Sequence, residues 1–200
     1  MTNKRIYKHR EQWLAEALAL VREHFTEAGY TVPDAVRVGV GWPSKQAFGK
    51  TRRIGEAWSN ECSADKTHEI IISIYLSDPI KILGVLIHEV IHVTVGVDKG
   101  HRRPFTKAMK AVGLCGKPTA TGETPELVET LKQWVEVLGV YPHAQLDGKT
   151  RKKDTTRMLK LECVCGLKIR TTQKWMDTYS PPWPCPCGGT LEDRTDDDDK

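Results

Sequence analysis

The sequence predicts an α+β fold with a small cysteine-bearing module at its C-terminal end, and three observations carry that prediction. Helical stretches with apolar residues at three- and four-residue spacing alternate with short β-branched runs, the pattern of a mixed domain. The best of those runs, EIIISIY at Glu69–Tyr75, leads directly into a long apolar helical segment. Finally, four of the six cysteines fall into two tight pairs, Cys163/Cys165 and Cys185/Cys187.

Two hundred residues suffice for one ordinary domain plus an appendage, and 39% hydrophobic with 28% charged residues is a soluble globular composition. The richest apolar run, Ile80 to Val97, is broken by Lys81, His88, Glu89 and His92, which argues against a membrane span. The basic start MTNKRIYKHREQW lacks the apolar core of a signal peptide, so cytoplasmic residence is the expectation, with nucleoid association as a variant of it. Paired cysteines in such a chain point to metal rather than disulfides, and Cys62 and Cys115 are expected to be reduced. The net charge is +4, of which the terminal DDDDK contributes −3. That stretch matches an enteropeptidase recognition sequence and reads as an appended tag or an acidic tail.

In chain order, Trp13, Leu14, Ala17, Leu18, Val21 and Phe25 give a helix from about Arg10 to Ala28 that Gly29 ends. Val36, Val38 and Val40 alternate as a strand over 35–40, and a short strand is expected near 54–58 within an otherwise loop-like connection. After EIIISIY, Asp78 caps and Pro79 starts a helix that runs to about Gly96. Another helix is expected over 104–112. A last one starts at Pro125 behind the cap Thr124, with Leu127 or Val128, Leu131, Trp134, Val135 and Leu138 as its buried stripe. The main domain is expected over 1–147, a basic segment with the cysteine module over 148–195, and the tag or tail over 196–200.

The helix from Asp78 contains His88-Glu89-Val90-Ile91-His92. Residues four apart lie one turn above each other, so the two imidazoles can grip a single ion. This is the H-E-x-x-H zinc signature, in which the His residues are ligands and the Glu, rotated about 100° around the helix, serves as base for a water. Satisfied core histidines are the plainer alternative. Against it stands the cost of placing three ionisable groups in so apolar a helix, and a chance match in only roughly 1% of chains of this length.

A catalytic zinc takes three protein ligands and keeps one position open. His101, nine residues after His92 and preceded by Gly100, is the choice for the third, and a carboxylate from Glu123, Glu126 or Glu129 is the competing arrangement. His68, Tyr75 and Arg102 are candidates by type for steadying an oxyanion. Cys163, Cys165, Cys185 and Cys187 supply four soft ligands with no place for water, which describes a second, structural zinc, although each pair is C-x-C rather than C-x-x-C. Between Lys149 and Lys174 stand nine Lys/Arg and two acids, a local net of +7. Within it Lys152, Lys153, Arg157, Lys160, Lys168, Arg170 and Lys174 are candidate phosphate contacts, with Trp175 and Trp183 as candidate stacking groups. DNA is the expected nucleic acid, with RNA as the alternative.

The strand EIIISIY before HEVIHVTVG, Gly100-His101, Phe105 in the following helix, and a four-cysteine module after a basic stretch together resemble the SprT-like metallopeptidases. The resemblance implies a zincin-like metallopeptidase domain with a C-terminal zinc ribbon, ligands at His88, His92 and His101, and Glu89 as catalytic base. It also implies a protein substrate associated with nucleic acid, since members of that group degrade proteins cross-linked to DNA. The interval from His92 to His101 is shorter than the family usually has, and Arg102 stands where a glycine is common. A non-catalytic zinc-binding adaptor for DNA or the transcription machinery is the alternative function.

Overall fold

The computed structural model describes residues 6–45, 52–146 and 158–194. It is a mixed α+β structure that divides into two compact units, residues 1–148 and 149–200. Among the described residues no helix is long and apolar enough to cross a membrane.

In the first unit, helix α1 (Arg10–Glu27) is followed by strands β1 (Val36–Gly41), β2 (Gly55–Trp58) and β3 (His68–Ser73). They form a three-stranded sheet in the order β1-β3-β2, with β1 parallel and β2 antiparallel to the central β3. Among the described residues, strand β2 is thus an edge. Helix α2 (Pro79–Val95) packs on β2 and β3, and against α3 (Arg103–Ala111) and α4 (Pro125–Leu138). Asp78 Oδ1 accepts the Ile80 N–H at 3.0 Å, satisfying one orphan donor at the start of α2. Thr124 Oγ1 does the same for Leu127 N at 3.3 Å on α4.

Helix α2 is apolar nearly all round because it is covered nearly all round. Ile82, Leu83, Leu86, Ile87 and Ile91 are fully buried, in one cluster with Trp13, Leu14 and Phe25 of α1, Ile70 and Ile72 of β3, and Phe105 of α3. On α4 the buried stripe is Leu127, Leu131 and Leu138, while Trp134 and Val135 are only partly covered. The strand expected over 69–75 starts one residue earlier and stops at Ser73, where a turn closed by Leu76 N to Ser73 O leads into α2.

Between α3 and α4 lies an element that hydrophobic patterning did not reveal, the hairpin of β4 (Leu114–Lys117) and β5 (Ala120–Glu123). Its segment, LCGKPTATGE, is polar and glycine-rich, and only Leu114 of its two strands is buried, so no alternation marks it.

The second unit is a four-stranded sheet in the order β7-β6-β9-β8, made of β6 (Met158–Cys163), β7 (Lys168–Thr172), β8 (Trp183–Pro184) and β9 (Thr190–Asp193), with helix α5 (Gln173–Thr178) after β7. Its core is small: Leu161, Leu191, Cys163 and Cys185 are buried, with Met176 and Trp183 packed against them.

Trp13 ties the first unit together. It is fully buried, donates its indole N–H to the Gly139 carbonyl at the end of α4 at 3.2 Å, and meets the Tyr141 ring edge-on at 5.1 Å. Trp13→Ala is expected to cost about 3–5 kcal/mol, read as a lower urea midpoint at unchanged slope.

Candidate metal centres

The spacing of His88 and His92 on α2 places both imidazoles on one face, 5.2 Å apart between ring centroids. His101 reaches the same point from the loop that follows. A 3-10 turn at Val97–Lys99 sits between Gly96 (φ 101°) and Gly100 (φ 52°), and these left-handed conformations, open to glycine, fold the chain back over the helix. One nitrogen from each of the three imidazoles lies within 4.8 Å of the others. His88 Nε2 and His101 Nε2 are 3.2 Å apart. Two nitrogens bound to one tetrahedral zinc at 2.0–2.1 Å stand about 3.3–3.4 Å apart, so the set fits a shared ion. Phe105, fully buried, floors all three rings, with centroids 4.9, 4.5 and 4.8 Å from His88, His92 and His101.

The electrostatics suit ligands. Burial first, then the neighbouring imidazoles, lower His88 to about 3 and His92 to about 4. Both are therefore neutral near pH 7, as metal ligation requires. The other ring nitrogen of His88, Nδ1, is 3.0 Å from Thr121 Oγ1 on β5. That bond leaves Nε2 for the ion and fixes the ring, the role of an outer-shell partner.

Glu89 is buried beside the triad, and its desolvation pushes its carboxyl up to about 8. Glu56 adds to the rise and Arg53 opposes it. A cation among the imidazoles would favour the carboxylate again. Room for Glu89 depends on Gly55 of β2: a Cβ there would lie 2.4 Å from Glu89 Oε1 and 2.6 Å from a Val85 methyl. Strand β2 thus lies directly against α2. Between them opens a cleft of about 780 Å³, whose walls include His88, Glu89, His92 and His101, the 52–57 segment, Lys81, and Thr121 and Glu123 of the hairpin.

Of the carboxylates weighed as third ligand, Glu126 and Glu129 are exposed on α4, and Glu129 pairs with Lys132 at 2.6 Å. Glu123 does line the cleft, but its Oε1 rests against Gly84, where a Cβ would approach to 1.9 Å. The three groups considered by type for an oxyanion are engaged elsewhere or stand outside the cleft wall. His68 Nδ1 accepts the Asn60 N–H at 3.2 Å, and the Tyr75 ring is covered by the Arg52 guanidinium at 4.1 Å and the Trp42 ring edge at 5.1 Å. Arg102 is exposed. Sequence reasoning missed Arg53, Glu56 and Thr121. The run TRRIGE carried the only signal, charges flanking a glycine inside a connection.

In the second unit the four sulfurs of Cys163, Cys165, Cys185 and Cys187 also lie within 4.8 Å of one another. Cys163–Cys187 and Cys165–Cys185 are each 3.6 Å apart. Thiolates on a tetrahedral zinc at 2.3 Å stand about 3.7–3.8 Å apart, so this set fits too, despite the one-residue spacing inside each pair. Backbone geometry explains it: Gly166 N bonds to Cys163 O at 2.8 Å and Gly188 N to Cys185 O at 2.9 Å, two matching tight turns that present their sulfurs to one point. The Gly189 N–H, then the neighbouring sulfurs, lower Cys187 to about 7.

Of the candidate phosphate contacts, Lys152, Lys153 and Arg157 lie outside the described residues. Lys160 is largely covered, 11% exposed, and bridges to Glu162 at 3.3 Å; Lys168, 61% exposed, shares that carboxylate at 3.6 Å. Arg170 is exposed on β7, and the Lys174 ammonium stands 5.6 Å from the Trp175 ring centroid. Trp175 and Tyr179 form an exposed stacked pair at 5.8 Å, whereas Trp183 packs against the small core.

Compared with models of known families, with curated proteins and with solved structures, the chain matches none. Titration with zinc is expected to load two ions per chain, and His101→Ala to leave only the ion of the four cysteines. Two ions at full affinity in that variant would assign the third ligand elsewhere, Glu123 being the one weighed carboxylate on the cleft wall.

Proposed function

We propose that this chain is a zinc-dependent metallopeptidase of the SprT-like, zincin type, cytoplasmic, acting on proteins associated with nucleic acid. The observation that carries the reading is Glu89: a carboxylate buried against a three-imidazole cluster, in the wall of an open cleft, has no use in a purely structural site. Zinc, when bound by His88, His92 and His101, supplies a Lewis acid that makes a water acidic near neutral pH and polarises a carbonyl.

The chain's own residues do the rest. Glu89 takes the proton of the attacking water on a side-chain oxygen and later delivers it to the leaving amine. Thr121 keeps His88 turned towards the cluster. Among the described residues β2 pairs only with β3, and its segment lines the cleft, so an extended peptide could add to it as a strand with its scissile bond passing over the triad. This favours an unfolded or extended segment as substrate.

The cysteine module supports targeting. Its stacked Trp175/Tyr179 pair, with Lys174 beside it and Lys168 and Arg170 on the neighbouring strand, presents rings and cations suited to bases and phosphates of a nucleic acid strand, DNA being the first candidate and RNA the second. The ion of the four cysteines is zinc in a structural role.

Glu89→Gln should retain both zinc ions and the unfolding midpoint while peptide cleavage falls at least about 100-fold, because an amide fills the same space but cannot shuttle the proton. Free and DNA-bound protein substrates are both to be assayed. Absence of cleavage by the parent chain on either would favour a non-catalytic adaptor. Separately, neutralising Lys168, Arg170 and Lys174 should flatten the slope of log K against log salt for oligonucleotide binding by up to about 0.7 per lost contact on single strands. An unchanged slope would remove these residues from the interface.

A further inference from the structure

Peptide hydrolysis at this site needs a third function besides ligation and base: a donor for the oxygen of the scissile carbonyl, where negative charge accumulates as water adds. The groups that the sequence suggests for it do not reach the cleft. A cation that does reach it stands on the opposite wall from the helix. Arg53 precedes β2 and lines the same cleft as His88, Glu89, His92 and His101.

The guanidinium is held in place. Arg53 Nη1 donates to Glu56 Oε1 at 2.6 Å, and Glu56 is itself fixed by three further donors: Ser44 N at 2.7 Å, Ser44 Oγ at 2.6 Å and Trp58 Nε1 at 3.2 Å. Glu56 is only 7% exposed. Its burial would raise its pKa, but the Ser44 and Arg53 bonds outweigh that and keep it lowered, hence ionised. A desolvated carboxylate in a cleft wall is a cost without a purpose unless it orients something, and the side-chain cation it holds is Arg53. One guanidinium edge is spent on Glu56, and the five-donor fork leaves N–H groups for a second acceptor. Arg53 is 42% exposed and lines the cleft, so these groups lie within reach of a bound peptide. Gly55, between the two residues, lets this segment lie in contact with Glu89.

We propose that Arg53 is a catalytic residue that donates hydrogen bonds to the carbonyl oxygen of the scissile peptide bond as it becomes an oxyanion, and that Glu56 is the positioning residue that holds it there. The inference rests on the peptidase reading above. In the step, a water oxygen bonds to the carbonyl carbon and its proton passes to Glu89. The carbonyl π pair moves onto the oxygen facing Arg53. The pair then returns, the C–N bond breaks, and the nitrogen leaves with the proton from Glu89, giving an amine and a carboxylic acid whose remaining proton passes to solvent near neutral pH. Arg53 keeps its protons throughout, as an arginine does.

The test compares the zinc-loaded full chain with Arg53→Ala, Arg53→Gln and Glu56→Gln. Zinc content and unfolding midpoint are expected to stay at parental values in Arg53→Gln, which preserves much of the side-chain volume if Arg53→Ala disturbs the fold. kcat should fall about 10²–10³-fold with KM changed less than about threefold, the signature of a contact made in the transition state. Glu56→Gln should give a smaller fall in kcat. A binding readout independent of turnover uses a phosphinic peptide, whose tetrahedral anionic oxygen mimics the oxyanion. Its affinity should drop with kcat across the variants, while an uncleaved peptide of the same sequence, bound in a Glu89→Gln background, should lose less than about threefold. If the parent cleaves and Arg53→Gln retains kcat and phosphinate affinity, the assignment of Arg53 is wrong and the peptidase reading stands. If the parent cleaves nothing, the peptidase reading falls and takes this role with it.

Discussion

The structure depends on one constraint: a helix that must be apolar to be the core carries three ionisable groups in the middle of it. Helix α2 contacts β2, β3, α3 and α4, and its flanking residues are fully buried. His88, Glu89 and His92 therefore lose water on folding, which drives the imidazoles to stay neutral and Glu89 to stay protonated. Each shift expresses desolvation that no protein hydrogen bond fully offsets. A divalent ion bound there would reverse the balance for Glu89 while using the neutral imidazoles as they stand. Metal binding and stability of this helix are accordingly one problem.

The surroundings follow from keeping that helix buried on three sides and open on the fourth. Phe105 supplies an apolar floor beneath all three imidazoles, so His101 is held by packing as well as by its loop. Gly55 lets an edge strand approach Glu89 more closely than any side chain would allow. Among the described residues β2 ends the sheet, and the 52–57 segment that contains it lines the cleft. The buried Glu56, with donors from Ser44, Arg53 and Trp58, ties the start of that strand to the residues before it.

The cysteine module solves the opposite problem. Among its described residues only Leu161 and Leu191 are buried beside two of its cysteines, with Met176 and Trp183 partly covered, a small core against the entropy of ordering a four-stranded sheet. Its four sulfurs converge from two tight turns to spacings that match a tetrahedral ion. An ion held there would take the place of a core.

The sequence by itself determined the four helices of the first unit, the central strand, the His88/His92 pair and the two cysteine pairs, because each is written in short-range terms. Apolar spacing of three and four, a capping Asp78 before Pro79, two histidines one turn apart and cysteines in adjacent pairs all act within a few residues. The α+β class was legible on the same grounds. The sequence left the third ligand open between His101 and three glutamates, since that choice turns on how a loop folds back, and the structure brings His101 to the other two. The β4–β5 hairpin was hidden because it buries one residue and shows no alternation. With it went Thr121, 33 positions from the histidine it bonds. Arg53 and Glu56 were hidden for the same reason in another form. A glycine between charges is a weak local mark, and the pairing of β2 with β3, which lays Gly55 against the buried helix, decides that they line the cleft.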